Sequence, residues 1–570
     1  MQPGRDTVSA FCHVALPKPL FQTFVYRIPP HLLAASVPGA RVRVPFGRRR
    51  EIGVVHSVDA KSPGRAVRDV LEVLDAEPLL SPHQRELCAW TSEYYAAPPG
   101  LVYRAALPPG LLGERQPGGT AELQRQVVRI SGDPPTLMER DALFGRAHRQ
   151  REAYETLEAI GGEAAMAHLE KHYGYSRAVL NGLAKRDLVR IDMKSVTRDP
   201  FAGAGDEIEL PDRLTAAQDT VLDGLRALAE RVDPGIALLR GVTGSGKTVV
   251  YLRLIQSALD RGRGAIALVP EIALTPQTVQ RFRAAFGDEV AVLHSALGSG
   301  ERHDAWRAVR DGKRRVVIGT RSAVFAPVRD LGIIVLDEEH DGSYKQSDTP
   351  RYHARALAAM RGRLEGALLL LGSATPSLET WHNAVTGRYA LFGLPERVTP
   401  HPLPTVELID LRQIREQALE REEPAPSIVT PRLREALAAR LERGEQSILL
   451  LNRRGYSTFL QCLACGRVWS CPSCNVSLTH HRARARLVCH HCSHERVVPT
   501  TCDACGEGDL LFTGVGTEHV ERRVAELFPE ARILRMDVDT TGGRGAHGRL
   551  LASVRRREVD ILLGTQMIAK

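Results

Sequence analysis

The segment GVTGSGKT, Gly241 to Thr248, follows the apolar run IALLR and precedes VVYLRLIQSALD, whose apolar positions recur at helical spacing. A strand entering a glycine-rich turn that opens directly into a helix is the frame of a P-loop. Its glycines let successive backbone N–H groups face one concavity, and the helix contributes the positive end of its dipole. That geometry belongs to the carboxyl edge of a parallel sheet, so one motif commits the chain to an α/β architecture. The flanking sequence agrees. IALLR, AIALV, RVVIG, IIVL and LLLL are strand-length apolar runs separated by helical patterns, and SILLL, LLFTG, RILRM and DILLG make a second set.

The loop predicts ATP as ligand, cradled by Gly241, Val242, Thr243, Gly244, Ser245 and Gly246. Lys247 is placed to reach the β- and γ-phosphates and Thr248 to offer a hydroxyl to Mg²⁺. Further on, the run GIIVL ends in Asp337-Glu338-Glu339-His340. A carboxylate at the end of a buried parallel strand faces the ligand crevice, so Asp337 is a second Mg²⁺ ligand and Glu338 the candidate base for an attacking water. LLLL then ends in Gly372-Ser373-Ala374-Thr375-Pro376, where Ser373 and Thr375 can sense the phosphate site and couple it to a neighbouring lobe.

Cysteine placement adds a separate constraint. Of ten cysteines, Cys12 and Cys88 stand alone and read as packing residues, while eight fall between Cys462 and Cys505 as four CxxC pairs. Two thiolates separated by two residues bind one tetrahedral ion from a tight turn, so Cys462/Cys465, Cys471/Cys474, Cys489/Cys492 and Cys502/Cys505 predict two closed, structural Zn²⁺ sites. Spacing leaves the pairing open, and His480, His481, His490, His491 and His494 are alternative ligands nearby.

Ahead of the phosphate loop, HVALP, TFVYRIP, ARVRVPFG and EIGVVHSV alternate apolar residues between Pro and Gly breaks, which predicts a small β-rich domain. A helix follows near His83 to Tyr95, then a Pro/Gly-rich stretch. Three helical runs and a charged strand between Arg149 and Ile191, with Ser176 as an N-cap, suit a winged helix that either binds DNA or only packs. The net charge of +9 favours a polyanionic partner. No apolar run reaches bilayer length and the N-terminus lacks signal-peptide features, which predicts a cytoplasmic chain with no membrane partner.

In order and spacing, the P-loop, DEEH and GSAT resemble the motifs of superfamily 2 helicases. LTAAQ (Leu214 to Gln218), LVPEIALTPQ (Leu268 to Gln277), IGTRSAVFAP (Ile318 to Pro327), LLLNRRGYS (Leu449 to Ser457), FTGVGTE (Phe512 to Glu518) and LLGTQMIAK (Leu562 to Lys570) resemble those of the PriA family of replication-restart helicases. LPKPLFQTFVYRIP and RVRVPFGRRREIGVV extend the resemblance through the N-terminal region, so it spans nearly the whole chain.

The resemblance implies two RecA-like lobes, the second incomplete and interrupted by a two-zinc module, behind a β-rich DNA-binding domain and a winged helix. The expected divisions are 1–110 for the 3′ DNA-binding domain, 120–197 for the winged helix, 205–400 for lobe 1, 401–461 and 506–570 for lobe 2, and 462–505 for the zinc module. It implies that Gln218 reads adenine, and that Tyr344, Lys345, Gln346, Arg351 and Tyr352 belong to an aromatic-rich loop coupling DNA to ATP hydrolysis. Aromatics and cations interleaved in this way also suit base stacking on single strands.

The family grips a nascent 3′ end, and Phe24, Gly47 and Arg68 match positions of that pocket. Where relatives often read TFDY, this chain has Val25, which accepts no hydrogen bond. The family's zinc pairing is nested: Cys462, Cys465, Cys502 and Cys505 on one ion, Cys471, Cys474, Cys489 and Cys492 on the other.

The implied activity is an ATP-dependent 3′–5′ DNA helicase acting in restart of stalled forks and primosome assembly. Its implied partners are forked DNA, single-stranded DNA-binding protein and other primosome proteins. The family's arginine-bearing QxxGRxGR motif lies beyond Lys570, so a truncated chain that binds ATP and DNA but hydrolyses slowly is expected. The competing reading is a non-motor, fork-binding platform that recruits restart proteins. A restriction or chromatin translocase is a third.

Overall fold

The computed structural model describes residues 10–59, 64, 66–112, 124–132, 135, 137–145, 147–195, 211, 213–271, 274–295, 297–399, 404–420, 429–451, 459–462, 465–474, 476–481, 486–489, 492–506, 510–513, 517–537, 540, 546–565 and 568. They form two compact units, Met1–His401 and Pro402–Lys570, each described by itself.

The first unit opens with β1 (Ala10–Ala15), β2 (Phe24–Ile28), β3 (Arg41–Phe46), β4 (Arg49–Asp59) and β5 (Glu72–Val73), an antiparallel sheet in the order β2-β1-β4-β3-β5. Its buried face is the apolar half of each alternating run, including Val14, Tyr26, Ile28, Val42, Val44 and Val55. Helix α1 (Pro82–Tyr94) starts with a capping box, Ser81 and Gln84 each accepting the other's backbone N–H. The Pro/Gly-rich stretch holds α2 (Pro99–Ala106), with Pro99 in its first turn. Gly100 is dictated by contact: a Cβ there would stand 1.6 Å from the Leu16 carbonyl oxygen. Both helices share one core with the motor sheet, where Leu87, Cys88, Val102 and Tyr103 join Phe325, Tyr352 and Leu357.

Next come β6 (Gln124–Ile130), α3 (Leu137–Phe144), α4 (His148–Ala159), β7 (Glu163–Ala165), α5 (Met166–Tyr173), α6 (Arg177–Ala184) and β8 (Val189–Ser195). Their sheet, β7-β6-β8, is antiparallel and covers a core of Val128, Phe144, Tyr154, Leu157, Leu169, Leu180 and Leu183. Ser176 is the N-cap of α6, as expected, in extended backbone, and its hydroxyl makes no capping bond.

The motor follows: α7 (Ala216–Ala229), β9 (Ile236–Gly241), α8 (Lys247–Asp260), β10 (Gly264–Leu268), α9 (Pro276–Phe286), β11 (Val290–Leu293), α10 (Ser299–Arg310), β12 (Val316–Gly319), β13 (Leu331–Asp337), α11 (Ala354–Glu365), β14 (Leu368–Ser373), α12 (Leu378–Val385) and β15 (Ala390–Leu394). All strand pairs are parallel, in the order β11-β12-β10-β13-β14-β9-β15. Leu238, Ile266, Ile334 and Leu369 are buried on one face and Leu239, Ala265, Ile333 and Leu370 on the other, which is why these strands read as continuous apolar runs. Strands β11 and β15 were not anticipated.

The second unit contains α13 (Leu411–Glu420), α14 (Pro431–Glu442), β16 (Ser447–Leu450), β17 (Phe459–Cys462), β18 (Thr479–His481), β19 (Arg486–Val488), β20 (Glu495–Val497), β21 (Leu510–Thr513), α15 (Thr517–Leu527), β22 (Ile533–Met536), α16 (Ala546–Arg555) and β23 (Ile561–Gly564). Strands β16, β23 and β22 form a small parallel sheet over Val520, Val524, Ile561 and Leu563. LLFTG does not join it. As β21 it pairs antiparallel with β17, setting Leu510 opposite Cys462 at the neck of the cysteine module. No helix among the described residues is long and apolar enough to cross a membrane.

Candidate nucleotide site, cysteine centres and DNA interface

The P-loop turn leaves β9 at Gly241 and enters α8 at Lys247. Gly244 and Gly246 have φ of +83° and +81°, so the turn needs residues without a Cβ there. Lys247 Nζ donates to the Gly241 carbonyl at 2.9 Å, the place from which it would move to a phosphate. Gln218 is buried and its amide is engaged at both ends: Nε2 donates to Ser245 O at 2.9 Å and Oε1 accepts from Thr215 N at 2.9 Å. In this arrangement it braces the phosphate loop, and an adenine contact would have to displace one of those bonds.

Asp337 ends β13, two strands from β9 in the sheet. Tyr251, one helical turn beyond Lys247, donates its hydroxyl to Asp337 Oδ1 at 3.0 Å. Thr248, Tyr251 and Asp337 line one cavity of about 120 Å³ with Thr278, Arg281 and Phe282. Burial, then the charge of Glu338, raises the Asp337 carboxyl above the ordinary carboxylate range. A hard cation there would relieve both effects, and a hydroxyl facing a carboxylate is the oxygen donor set that Mg²⁺ takes. Glu338 has a φ of +45°, a conformation uncommon outside glycine, and it remains partly exposed beside the loop.

Glu339 is fully buried and anchors the acidic turn. It accepts from Arg355, from Ser377 N at 2.7 Å and from Thr380 Oγ1 at 2.9 Å. Ser373 Oγ lies 2.8 Å from His340 Nδ1 and accepts from Thr375 N at 3.0 Å, so GSAT and DEEH are directly bonded. Gly372 is fixed by the same geometry, because a Cβ there would stand 1.7 Å from the Tyr251 hydroxyl. Tyr251, Glu339 and Arg355 were not singled out from sequence. Tyr251 had a readable signal in its i, i+4 spacing from Lys247.

The 344–353 segment corrects one expectation. Tyr344 and Tyr352 are completely buried and therefore present no ring to a nucleobase. The Tyr344 hydroxyl is spent on the backbone, 2.6 Å from Asp337 O and 3.0 Å from Leu268 O. Gln346 binds across the segment, its N–H to Tyr352 O at 2.9 Å and its side chain to Pro350 O at 3.0 Å. Lys345 and Arg351 are exposed, together with Ser347, Asp348 and Thr349, so the cations of this stretch face outward and its tyrosines do not.

In the N-terminal sheet, Phe24 packs edge-on against Phe46 with centroids 5.1 Å apart, and Arg68 donates to Gly47 O at 2.8 Å. Gly47 has a φ of +60°. These three expected residues therefore lie around one hairpin turn, while Val25 alternates to the opposite face of β2 from Phe24.

The cysteines gather as two tetrads, Cys462/Cys465/Cys502/Cys505 and Cys471/Cys474/Cys489/Cys492, with the sulfurs of each within 4.8 Å of one another. Cys462–Cys505 and Cys465–Cys502 are 3.6 Å apart and Cys471–Cys492 3.5 Å. Four thiolates about 2.3 Å from one ion would stand roughly 3.8 Å apart, so the residues fit tetrahedral metal. The turns explain themselves: Gly466, Ser493 and Gly506 adopt positive φ and donate to the carbonyls of Cys462, Cys489 and Cys502. Neither His480 nor His494 enters a tetrad. His490 and His491 lie outside the described residues, as do Asn452–Ser457 of LLLNRRGYS, 514–516 of FTGVGTE and parts of LVPEIALTPQ and LLGTQMIAK, while the His481 side chain is likewise not described.

Three family profiles match: the 3′ DNA-binding domain of PriA over residues 13–108, DEAD/DEAH box helicase over 218–384, and the PriA DNA helicase Cys-rich region over 471–496. The replication restart protein PriA of Bacillus subtilis is 37% identical across 97% of this chain and 75% of its own length. That of Haemophilus influenzae is 36% identical across 98% of this chain and 74% of its own. With profile matches in the N-terminal, motor and cysteine segments, and relatives aligned along almost all of its length, this chain belongs to the PriA family of replication restart proteins.

Proposed function

We propose that the chain is the nucleotide- and DNA-binding motor of an ATP-dependent 3′–5′ DNA helicase that acts in the cytoplasm on stalled forks and in primosome assembly. The observation that supports this most is the convergence of Thr248, Tyr251 and Asp337 on one cavity, with Tyr251 bonded to Asp337 and the charges of Glu338 and Lys247 acting on that carboxyl.

In this reading the backbone N–H groups of 241–248 receive the phosphates of ATP, and Lys247 exchanges Gly241 O for a phosphate oxygen. Thr248 and Asp337 would hold Mg²⁺, which when bound would supply positive charge to the transferring phosphates. Glu338 orients the attacking water. Ser373, bonded to both His340 and Thr375, relays the state of the acidic turn, and the stretch through Tyr344, Lys345, Gln346, Arg351 and Tyr352 links it to DNA. Phe24, Gly47 and Arg68 receive the 3′ terminus, with Val25 supplying no acceptor. The tetrads each hold one Zn²⁺ with no open coordination position, which makes those sites structural. Single-stranded DNA-binding protein and other primosome proteins are the partners this reading brings with it.

The test is strand displacement on partial duplexes carrying either a 3′ or a 5′ single-stranded tail, with ATP and Mg²⁺. Displacement that favours the substrate translocated 3′ to 5′ and disappears in Lys247→Ala supports the proposal. Equal displacement by the Lys247→Ala protein speaks for an ATP-independent binding platform.

A further inference from the structure

Tyr95, at the C-terminal end of α1, makes two contacts with the segment that seats the Mg²⁺-ligand candidate. Its hydroxyl accepts the backbone N–H of His353 at 3.1 Å, and its ring lies under the Lys345 ammonium, 5.2 Å from ring centroid to Nζ. Trp90 and Tyr94 pack edge-on against the ring at 6.2 and 5.0 Å, so Tyr95 is held in place from within the N-terminal region.

Lys345 and His353 are themselves paired as an antiparallel bridge, and Lys345 Nζ donates to Arg351 O at 2.5 Å. Tyr344 directly precedes this bridge, and its hydroxyl donates to Asp337 O. A continuous physical path therefore runs from α1 through Tyr95, the Lys345–His353 bridge and Tyr344 to Asp337. A second contact steadies it: Gln84, at the other end of α1, donates to Phe325 O at 3.0 Å.

We propose that Tyr95 is a positioning residue that couples a DNA phosphate taken up at Lys345 to the nucleotide site by clasping the Lys345–His353 bridge; the proposal rests on the ATP- and DNA-binding reading above. Lys345 gives the clasp two states. Its ammonium is exposed and shared between an aromatic face and a carbonyl, both weaker partners than a phosphate. A DNA phosphate that takes the ammonium removes one of the two bonds between Tyr95 and the bridge, and leaves the hydroxyl contact to hold the register. Tyr95 touches neither phosphate nor metal and acts through Tyr344.

Because coupling between two ligands is reciprocal, it is measured without hydrolysis. The full chain is titrated with a fluorescent ATP analogue and Mg²⁺, with and without a saturating 3′-ended single-stranded oligonucleotide, and the oligonucleotide is also titrated alone. In the unaltered chain the oligonucleotide shifts nucleotide Kd by about fivefold or more. Tyr95→Phe, which keeps the ring and removes the hydroxyl, lowers that factor to less than about half, and Tyr95→Leu brings it to about one. Each ligand's own Kd stays within about twofold in the Phe variant, an outcome that a merely structural role would not give. A factor unchanged in Tyr95→Leu overturns the proposal, as does a Phe variant that loses nucleotide affinity without DNA. Should the Leu variant not fold, the Phe variant decides. An unaltered chain that binds neither ligand sinks the functional reading itself, whereas binding of both without Tyr95 dependence sinks only this inference.

Discussion

The motor sheet and the cysteine module solve the same problem, holding polar groups at fixed distances, by opposite means. In the motor, two broad apolar layers on either face of seven parallel strands fix the strand ends, and the polar residues sit on that frame. In the module, the buried cluster is Leu460, Cys462, Trp469, Cys471, Leu478, Leu487, Cys489 and Cys502, so half of its members are thiols of the tetrads. A core that small does not offset the entropy of ordering its loops without a metal of the kind its thiol tetrads fit. The difference teaches where each region is fragile: the motor at single buried polar groups, the module at its ligand.

The largest effect should therefore come from metal. Removing it with a chelator, or replacing Cys471 and Cys489 by Ser, forfeits binding of the order of 10–16 kcal/mol at a structural zinc site and unfolds the module. Limited proteolysis should then cut within 459–513 while Met1–His401 keeps its melting transition. A module that stays protease-resistant without metal would break the comparison.

Next is Glu339→Ala. It strips the buried partner from Arg355 and the acceptor from Ser377 and Thr380, and should cost about 3–5 kcal/mol in denaturant unfolding of the motor. Smaller, at roughly 1–3 kcal/mol, is Gly372→Ala, which forces Tyr251 away from Asp337. Its distinguishing sign is a loss of Mg²⁺-dependent nucleotide affinity larger than its loss of stability. The smallest concerns pH. Burial, then Arg355 and Lys345, push His353 down to about 4. The folded motor thus binds fewer protons than the unfolded chain between about pH 4 and 6.5, so stability rises with pH across that window and falls on acidification. His353→Asn, which keeps a capping acceptor for Arg355 N, should flatten that part of the profile relative to the unaltered chain.

The features legible in sequence were those with a local signature. Glycines at Gly244 and Gly246, apolar runs buried on both faces, and CxxC turns closed by Gly466 and Gly506 all announce themselves within a few residues. What escaped was decided at a distance. Strands β11 and β15 are short runs given their identity by β12 and β9. Helix α2 is masked by prolines and by Gly100, which exists for Leu16. LLFTG has strand character either way, and only its antiparallel partner shows that it closes the cysteine module. Tyr344 and Tyr352 alternate with cations as exposed stacking residues do, yet both point inward, Tyr344 to bond Asp337 O and Leu268 O and Tyr352 to pack edge-on against Phe325.

The most direct test of the central claim is Mg²⁺-dependent affinity for a fluorescent ATP analogue in the unaltered chain and in Lys247→Ala and Asp337→Asn. The account predicts that the unaltered chain binds only with Mg²⁺ present, and that either substitution weakens binding at least about tenfold while the melting transition is kept. Equal affinity in all three proteins would contradict it.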